Sequence, residues 1–263
     1  MCRTCGCSDE AGRPTSHVRD HLHNVDHAHG PSQATPSGSG GMLSLEQRVL
    51  ERNDRLAAET RRWLGARGVS AVNLMSAPGA GKTTLLERTL RDVGEELGIT
   101  VIEGDQATDH DADRIRAAGG RAVQVNTGAG CHLDAAMVAR ALVELSPADG
   151  SVVVIENVGN LVCPALFDLG ESARVVITSV TDGDDKPVKY PHMFRAGDVL
   201  LLNKIDLLPY VRFDRDRCLT YAREMNPRIR TFEVSATRGD GLDGWYGWLR
   251  ERAARTHRAV GGS

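Results

Sequence analysis

The 263-residue chain has no apolar run approaching the roughly 18 residues that a membrane-spanning helix needs. It also has no excess of either charge. Lys and Arg total 32 against 35 Asp and Glu, a net charge of −3 with His neutral. That balance argues against a protein that coats nucleic acid by bulk charge. The N-terminus has no apolar stretch of the kind a secretory signal carries, so the expected location is the cytoplasm, with no membrane partner. No internal repeat is present. Large apolar side chains are nearly missing from residues 1–41, where Met1, Val18, Leu22 and Val25 are the main ones. Over the whole chain the hydrophobic share is 41%, enough for a real core, so wholesale disorder is excluded.

What residues 1–41 do contain is Gly, Ser, Pro, Thr and His, ending in Ser-Gly-Ser-Gly-Gly. Such a segment buries too little surface to offset its ordering entropy, so a flexible arm is expected, followed by one domain over 42–263. The arm is rich in soft and borderline donors. Cys2, Cys5 and Cys7 form a Cys-x-x-Cys-Gly-Cys cluster, and five of the nine histidines (His17, His21, His23, His27, His29) lie within thirteen residues. In a reducing compartment, clustered thiols point to metal or redox chemistry rather than a disulfide frame. Three thiolates are one short of a closed zinc site, and the N-terminal amine is a candidate fourth donor. A compact N,S site suits Ni(II), with zinc competing. The His run reads as weak metal storage, against the bland alternative of a tract with no metal role.

From residue 42 the pattern becomes amphipathic helix, with Leu45, Val49, Leu56 and Leu64 at near-helical spacing. Strands are predicted at 70–75, 99–103, 121–125, 151–155, 174–179, 198–203 and 230–234. Helices are predicted at 82–97, 109–118, 132–145, 213–225 and 241–255. Alternation of continuous apolar strands with helices predicts an α/β fold, a mostly parallel sheet flanked by helices, with ligands at the carboxyl ends of the strands. Cys218, Trp245 and Trp248 read as packing residues of the last helices.

After the first predicted strand comes Ser-Ala-Pro-Gly-Ala-Gly-Lys-Thr-Thr (76–84), a P-loop in which Ser76 replaces the first glycine. Gly79, Ala80, Gly81 and Thr84 are expected to surround phosphate with backbone N–H groups. Lys82 is expected to reach the β- and γ-phosphates, and Thr83 to ligate Mg²⁺. Asp105 and Glu156 follow or end neighbouring strands and are candidate Mg²⁺- or water-positioning carboxylates. Glu156 to Gly159 has the spacing of Asp-x-x-Gly with Glu in place of Asp, so Gly159 is a candidate γ-phosphate sensor.

Asn203-Lys204-x-Asp206, at the end of another predicted strand, is a guanine-reading motif. Asp206 can accept from guanine N1–H and its exocyclic amine, an arrangement adenine does not offer. Ser235-Ala236-Thr237 resembles the second base-contacting loop. Both motifs at strand ends, in this order, select GTP over ATP.

With these residues together, the chain resembles the hydrogenase nickel-incorporation GTPases, the HypB family, within the dimerising branch of P-loop GTPases. The likeness runs over nearly the whole chain. Its most specific parts are Met-Cys-x-x-Cys-Gly-Cys, Gly-Asp-Gln-Ala-Thr (104–108), Asn-Thr-Gly-x-Gly-Cys-His-Leu-Asp-Ala (126–135) and Glu-Asn-Val-Gly-Asn-Leu-Val-Cys-Pro (156–164). Urease and cobalamin-enzyme GTPases share the phosphate and base motifs but lack this cysteine set. The resemblance implies a second nickel or zinc site within the GTPase domain, at Cys131, His132 and Cys163. Read without it, these are a buried cysteine and a helix-capping histidine.

The reading that follows is a slow GTPase, a nickel metallochaperone that serves [NiFe]-hydrogenase maturation. Its cofactors are GTP, Mg²⁺ and Ni²⁺, with Zn²⁺ an alternative in the domain site. The resemblance implies a GTP- and metal-dependent homodimer, a small zinc-containing nickel chaperone as loading partner, and the hydrogenase large-subunit precursor as recipient. Competing readings are another metalloenzyme-maturation GTPase, a nickel or zinc store with a regulatory GTPase domain, and a small-molecule kinase. The guanine motifs and the absence of an Arg-rich lid argue against the last.

Overall fold

A computed structural model describes residues 39–105, 110–128, 130 and 132–261. The chain divides after Arg48 into two units. The helix α1, Ser39–Ala66, crosses that boundary, and the second unit, Val49–Ser263, holds the sheet. The order after α1 is β1 (Ser70–Ser76), α2 (Lys82–Val93), β2 (Thr100–Asp105), α3 (His110–Ala117), β3 (Arg121–Asn126), α4 (Ala135–Leu145) and β4 (Val152–Glu156). A short 3₁₀ turn at Cys163–Ala165 leads to β5 (Ala173–Ser179), α5 (Lys186–Lys189), α6 (Pro191–Ala196) and β6 (Val199–Asn203). A second 3₁₀ turn at Ile205–Tyr210 leads to α7 (Arg215–Met225), β7 (Arg230–Glu233) and α8 (Leu242–Gly261).

All seven predicted strands form. They make one parallel sheet in the order β3-β2-β4-β1-β5-β6-β7. The central strands read as continuous apolar runs because both of their faces are covered. Along β4, Val152 and Val154 face one layer and Val153 and Ile155 the other, the period of two that a pleated strand imposes. The first layer is completed by Leu85, Leu86 and Leu90 of α2 and by Trp245, Trp248 and Leu249 of α8. Leu64 of α1 with Val138, Leu142 and Leu145 of α4 completes the second. A third cluster joins Met193 and Phe194 of α6 and Leu219 of α7 to Val176 and Leu200. Cys218 is fully buried, and burial pushes its thiol up to about 12, so it acts as a packing residue. No helix among the described residues is long and apolar enough to cross a membrane.

Helix boundaries differ from the periodicity where caps intervene. The helix predicted over 132–145 starts at Ala135, because the Asp134 carboxylate accepts from the Met137 N–H at 2.7 Å and ends the preceding loop. His132 therefore lies before the helix. The helix predicted over 82–97 closes at Val93, and its last turns unwind through Gly94 and Gly98, the latter at φ +58°. The pieces α5 and α6 are too short to show a helical period and were not predicted.

Because every strand is parallel, the carboxyl ends of β1, β2, β4, β6 and β7 fall along one edge. Near that edge, Glu103 of β2 is 2% exposed and its Oε2 has no hydrogen-bond partner. Burial first, and then the charges of Glu156, Asp105 and Asp111, push its carboxyl up to about 8. An unfolded chain loses this proton near the ordinary 4.5, whereas the folded chain holds it to about 8. The stability tied to Glu103 is therefore complete below about pH 4.5 and drains as the pH rises to about 8. In nucleotide- and metal-free protein, Glu103→Gln should match the parent's melting temperature at pH 4.5 and exceed it at pH 8. Each kcal/mol recovered is worth about 2–4 °C in a domain of this size. A lower melting temperature for the variant at pH 8 would contradict this assignment.

Candidate functional site

The loop between β1 and α2 runs Ala77-Pro78-Gly79-Ala80-Gly81. Gly79 has φ +76° and Gly81 φ +92°, conformations that side chains resist. Gly81 has a second constraint, since a Cβ there would lie 2.5 Å from Asn203 Nδ2. The helix α2 starts at Lys82 with no side-chain cap, leaving its positive end facing the loop. Ser76, where the common pattern has glycine, is the last residue of β1, pairs in extended register with Ile177 and donates its hydroxyl to the Ala77 carbonyl. Gly159 packs against this loop, its Cβ direction blocked by Pro78 at 3.3 Å.

The loop encloses a cavity of about 450 Å³ that Lys82, Thr83, Asp111, Arg114, Gly159 and Lys204 also line. A larger cavity of about 520 Å³ lies among Leu90, Gly98, Thr100 and Arg121, at the amino ends of the strands. Strand polarity and chemistry select the smaller one.

The Thr83 hydroxyl lies 2.6 Å from Glu156 Oε1 and 3.2 Å from Asp111 Oδ2. Lys82 Nζ lies 3.2 Å from the same Glu156 oxygen. Glu156 is 1% exposed and its Oε2 has no hydrogen-bond partner. Asp105 ends β2 on the same edge, half-buried, and its carbonyl accepts from the Thr127 N–H at 2.9 Å. The fold thus brings Lys82, Thr83 and Glu156 into direct contact and places Asp105 close enough to act on Glu103 by charge. Two residues that sequence reasoning passed over join them, Asp111 and Arg114 of α3. Their Asp-x-x-Arg spacing at the start of a helix after β2 puts both on one helical face, a signal that was available.

The base-reading motif is also assembled. Asn203 Nδ2 donates to the Ala80 carbonyl at 2.9 Å, and Asn203 Oδ1 accepts from the Ala236 N–H at 3.1 Å. Lys204 sits at φ +62° with Nζ donating to the Gly79 carbonyl at 2.7 Å. Asp206 Oδ1 is buried without a hydrogen-bond partner. The Ser235 hydroxyl accepts from the Arg238 N–H at 3.2 Å, which shapes the loop after β7.

The metal-ligand candidates are only partly within view. Cys2, Cys5, Cys7, the five tail histidines and Cys131 lie outside the described residues. His132 stacks on Phe167 with ring centroids 3.9 Å apart, and Phe167 lies four residues beyond Cys163. The imidazole ring therefore sits beside the segment that carries Cys163. Burial lowers the His132 pKa, against the opposing charge of Asp134, which favours the neutral imidazole. Cys163 is buried, and its N–H, like that of Val162, points at the Asn160 carboxamide oxygen. The Leu133 N–H donates to Asn157 Oδ1 at 3.2 Å, which ties the His132 loop to the residue after Glu156. Among the described residues no group of three or more His, Cys, Asp or Glu is arranged to hold a metal ion.

Comparison with known proteins agrees with this geometry. The family described as CobW/HypB/UreG, nucleotide-binding domain, matches residues 70–233. Hydrogenase maturation factor HypB of Azotobacter chroococcum mcd 1 is 52% identical over 240 residues, covering 90% of this chain and 79% of that protein. HypB of Escherichia coli strain K12 is 53% identical over 223 residues, covering 85% and 75%. The crystal structure of HypB from Archaeoglobus fulgidus superimposes with a TM-score of 0.73 at 42% identity, covering 78% of this chain and all of that one. HypB from Helicobacter pylori in complex with nickel gives 0.72 at 37% identity, covering 78% and 96%. With a P-loop, a guanine-reading motif and these relatives along most of its length, the chain belongs to the HypB family of hydrogenase maturation factors, P-loop GTPases of the CobW/HypB/UreG type.

Proposed function

We propose that this chain is a GTP-gated nickel carrier, acting in the cytoplasm on nickel as its cargo. GTP would sit with its triphosphate on Gly79, Ala80, Gly81, Lys82, Thr83 and Thr84 and its base between Asn203-Lys204-x-Asp206 and Ser235-Ala236. The orphaned Asp206 oxygen supports the base assignment, because a buried carboxylate oxygen without a donor costs free energy until guanine N1–H and N2–H fill it.

The donor set fits Mg²⁺. A threonine hydroxyl meets a carboxylate whose other oxygen is buried and unpartnered, and burial together with the charges of Glu156, Asp105 and Asp111 raises the Glu103 pKa. Magnesium uses few protein ligands and completes its shell with phosphate and water, so no preformed cage is needed. Thr83, Asp105 and Glu156 would hold it. When bound, the ion neutralises charge on the phosphates. Lys82, now against Glu156, is the cation a triphosphate would claim. Gly159, which lies against Pro78 of the phosphate loop, would register whether the third phosphate is there. Hydrolysis would be slow, resting on positioning and charge neutralisation.

Gating is carried by one observation above the others. Asn157 directly follows the carboxylate at the phosphates and accepts from Leu133, next to the candidate ligand His132. Three residues further on, Asn160 orients Cys163. A rearrangement at Glu156–Gly159 would therefore be felt at Cys131, His132 and Cys163. Cys2, Cys5 and Cys7 would form a separate nickel site on an N-terminal arm ahead of α1, with His17, His21, His23, His27 and His29 as a looser reservoir. The working form would be a GTP- and metal-dependent homodimer. It would be loaded by a small zinc-containing nickel chaperone and would deliver to the hydrogenase large-subunit precursor.

Two outcomes test this reading. Asp206→Asn should weaken GTP binding by about 100-fold or more and raise affinity for XTP, whose C2 carbonyl accepts the new amide N–H. Competition against a fluorescent guanine nucleotide measures it, and unchanged GTP affinity would refute the base assignment. In full-length protein with Cys2, Cys5 and Cys7 changed to Ala, nickel affinity should differ by about 5–150-fold between GDP and a non-hydrolysable GTP analogue. Asn157→Ala should shrink that ratio towards one. Equal affinities in the parent protein would remove the gating idea altogether.

A further inference from the structure

The cavity of the phosphate loop contains a third cationic side chain besides Lys82 and Lys204. It is Arg114, on the face of α3 turned towards the start of α2. Its Nε and one terminal nitrogen grip the two oxygens of Glu87, at 3.0 and 3.1 Å. Its other terminal nitrogen donates to Asp111 Oδ1 at 3.2 Å. Asp111 uses its second oxygen on the Thr83 hydroxyl. The remaining contact of the guanidinium is a long one, 3.4 Å, to the hydroxyl of Thr84 at the N-terminal turn of α2.

We propose that Arg114 is a catalytic residue of GTP hydrolysis, an arginine supplied by the chain itself to the phosphates. The proposal rests on the nucleotide assignment above. In the reaction a water oxygen forms a bond to the γ-phosphorus, and the bond from that phosphorus to the β–γ bridging oxygen breaks. The electron pair stays on the departing GDP, and the water's protons end on phosphate and solvent. Negative charge thus grows on the leaving diphosphate, and a donor fixed beside it lowers the barrier because that charge is larger in the transition state than in bound GTP.

Three features suit Arg114 to this task. Lys82 is engaged with Glu156 and Lys204 with the Gly79 carbonyl, so among the lining residues Arg114 brings a charge from a third direction. A guanidinium offers five N–H donors in a planar fork, and the bidentate hold of Glu87, itself largely buried, fixes that plane before nucleotide arrives. The long Thr84 contact leaves donors aimed at the turn whose backbone faces phosphate, where oxygens of stronger basicity would replace a hydroxyl. Arg114 is 45% exposed in the nucleotide-free chain, a surface that bound phosphate would cover. Glu87 and Asp111 then act as positioning residues.

The test is single-turnover GTP hydrolysis by full-length protein with Mg²⁺, comparing Arg114→Ala, Arg114→Lys and Lys82→Ala. Arg114→Ala should lose about 100- to 1,000-fold in kcat with less than a tenfold change in KM. It should keep its GDP affinity and fail to bind GDP with aluminium fluoride. Low-millimolar methylguanidine should restore at least tenfold of the lost rate, a rescue that a purely structural ion pair cannot show. Arg114→Lys keeps the charge without the fork and should fall between the two, which covers the case in which the alanine variant does not fold. Parent-like kcat in Arg114→Ala would overturn the proposal. So would a loss that methylguanidine leaves untouched while Arg114→Lys behaves like the parent. Lys82→Ala separates the two layers. If it binds and hydrolyses GTP normally, the nucleotide assignment itself fails; if it is inactive while Arg114→Ala is normal, only the arginine's role falls.

Discussion

The carboxamide of Asn203, at the end of β6, donates to the Ala80 carbonyl in the phosphate loop and accepts from the Ala236 N–H after β7. One buried side chain therefore sets the spacing between the loop built for phosphate and the loop built for a base. The rest of the site inherits that constraint. Gly81 has no room for a Cβ because Asn203 Nδ2 occupies the space, and the left-handed turn at Gly81 is what releases α2 to begin at Lys82. Lys82 and Thr83 then emerge opposite Glu156, which β4 delivers because it is hydrogen-bonded directly beside β1. A fully buried amide bonded on both sides is costly to disturb, since either lost bond leaves a desolvated polar group.

A second polar chain runs beneath the first. Asn53 of α1 accepts from the Ala135 N–H and donates to the Asp168 carbonyl. Asn157 accepts from the Leu133 N–H and leans on Asn73 in the middle of β1, which in turn reaches Glu171. Arg174 completes that line through Glu171. These groups lie under the His132 loop and behind Glu156. A sheet interior this apolar tolerates such groups because Asn157, Asn73, Glu171 and Arg174 are each bonded to the next and Asn53 is bonded on both sides to backbone. The end of β4 and the loop before α4 thus share one support, the Asn157 carboxamide.

The carboxylates stand in tension with that rigidity. Glu156 and Glu103 each leave an oxygen buried and unpartnered, and Glu103 is held protonated well past the ordinary carboxylate range. A buried carboxylate oxygen without a donor costs free energy, and a cation bound there would offset that cost and stabilise the nearby strand ends.

Much of this was legible from residue order alone. Seven apolar runs gave seven strands because buried parallel strands leave no polar face to blur the pattern, and the Gly-rich loop was readable because its chemistry is local. Asp111 and Arg114 were not picked out, although their spacing was visible. Their role depends on α3 folding back against the first turns of α2, through Asp111 on Thr83 and Arg114 on Glu87 and Thr84, contacts spanning about 27 to 30 residues. His132 read as part of a helix until the Asp134 cap placed it outside. The sequence by itself determined the chemistry, that is, which donors, phosphate-binding glycines and base-reading residues exist and in what order along the sheet edge. Tertiary structure alone decided which of them meet. Strand order, burial and the two-sided bonding of Asn203 and Asn157 join residues far apart in the chain, and periodicity carries no information about such joins.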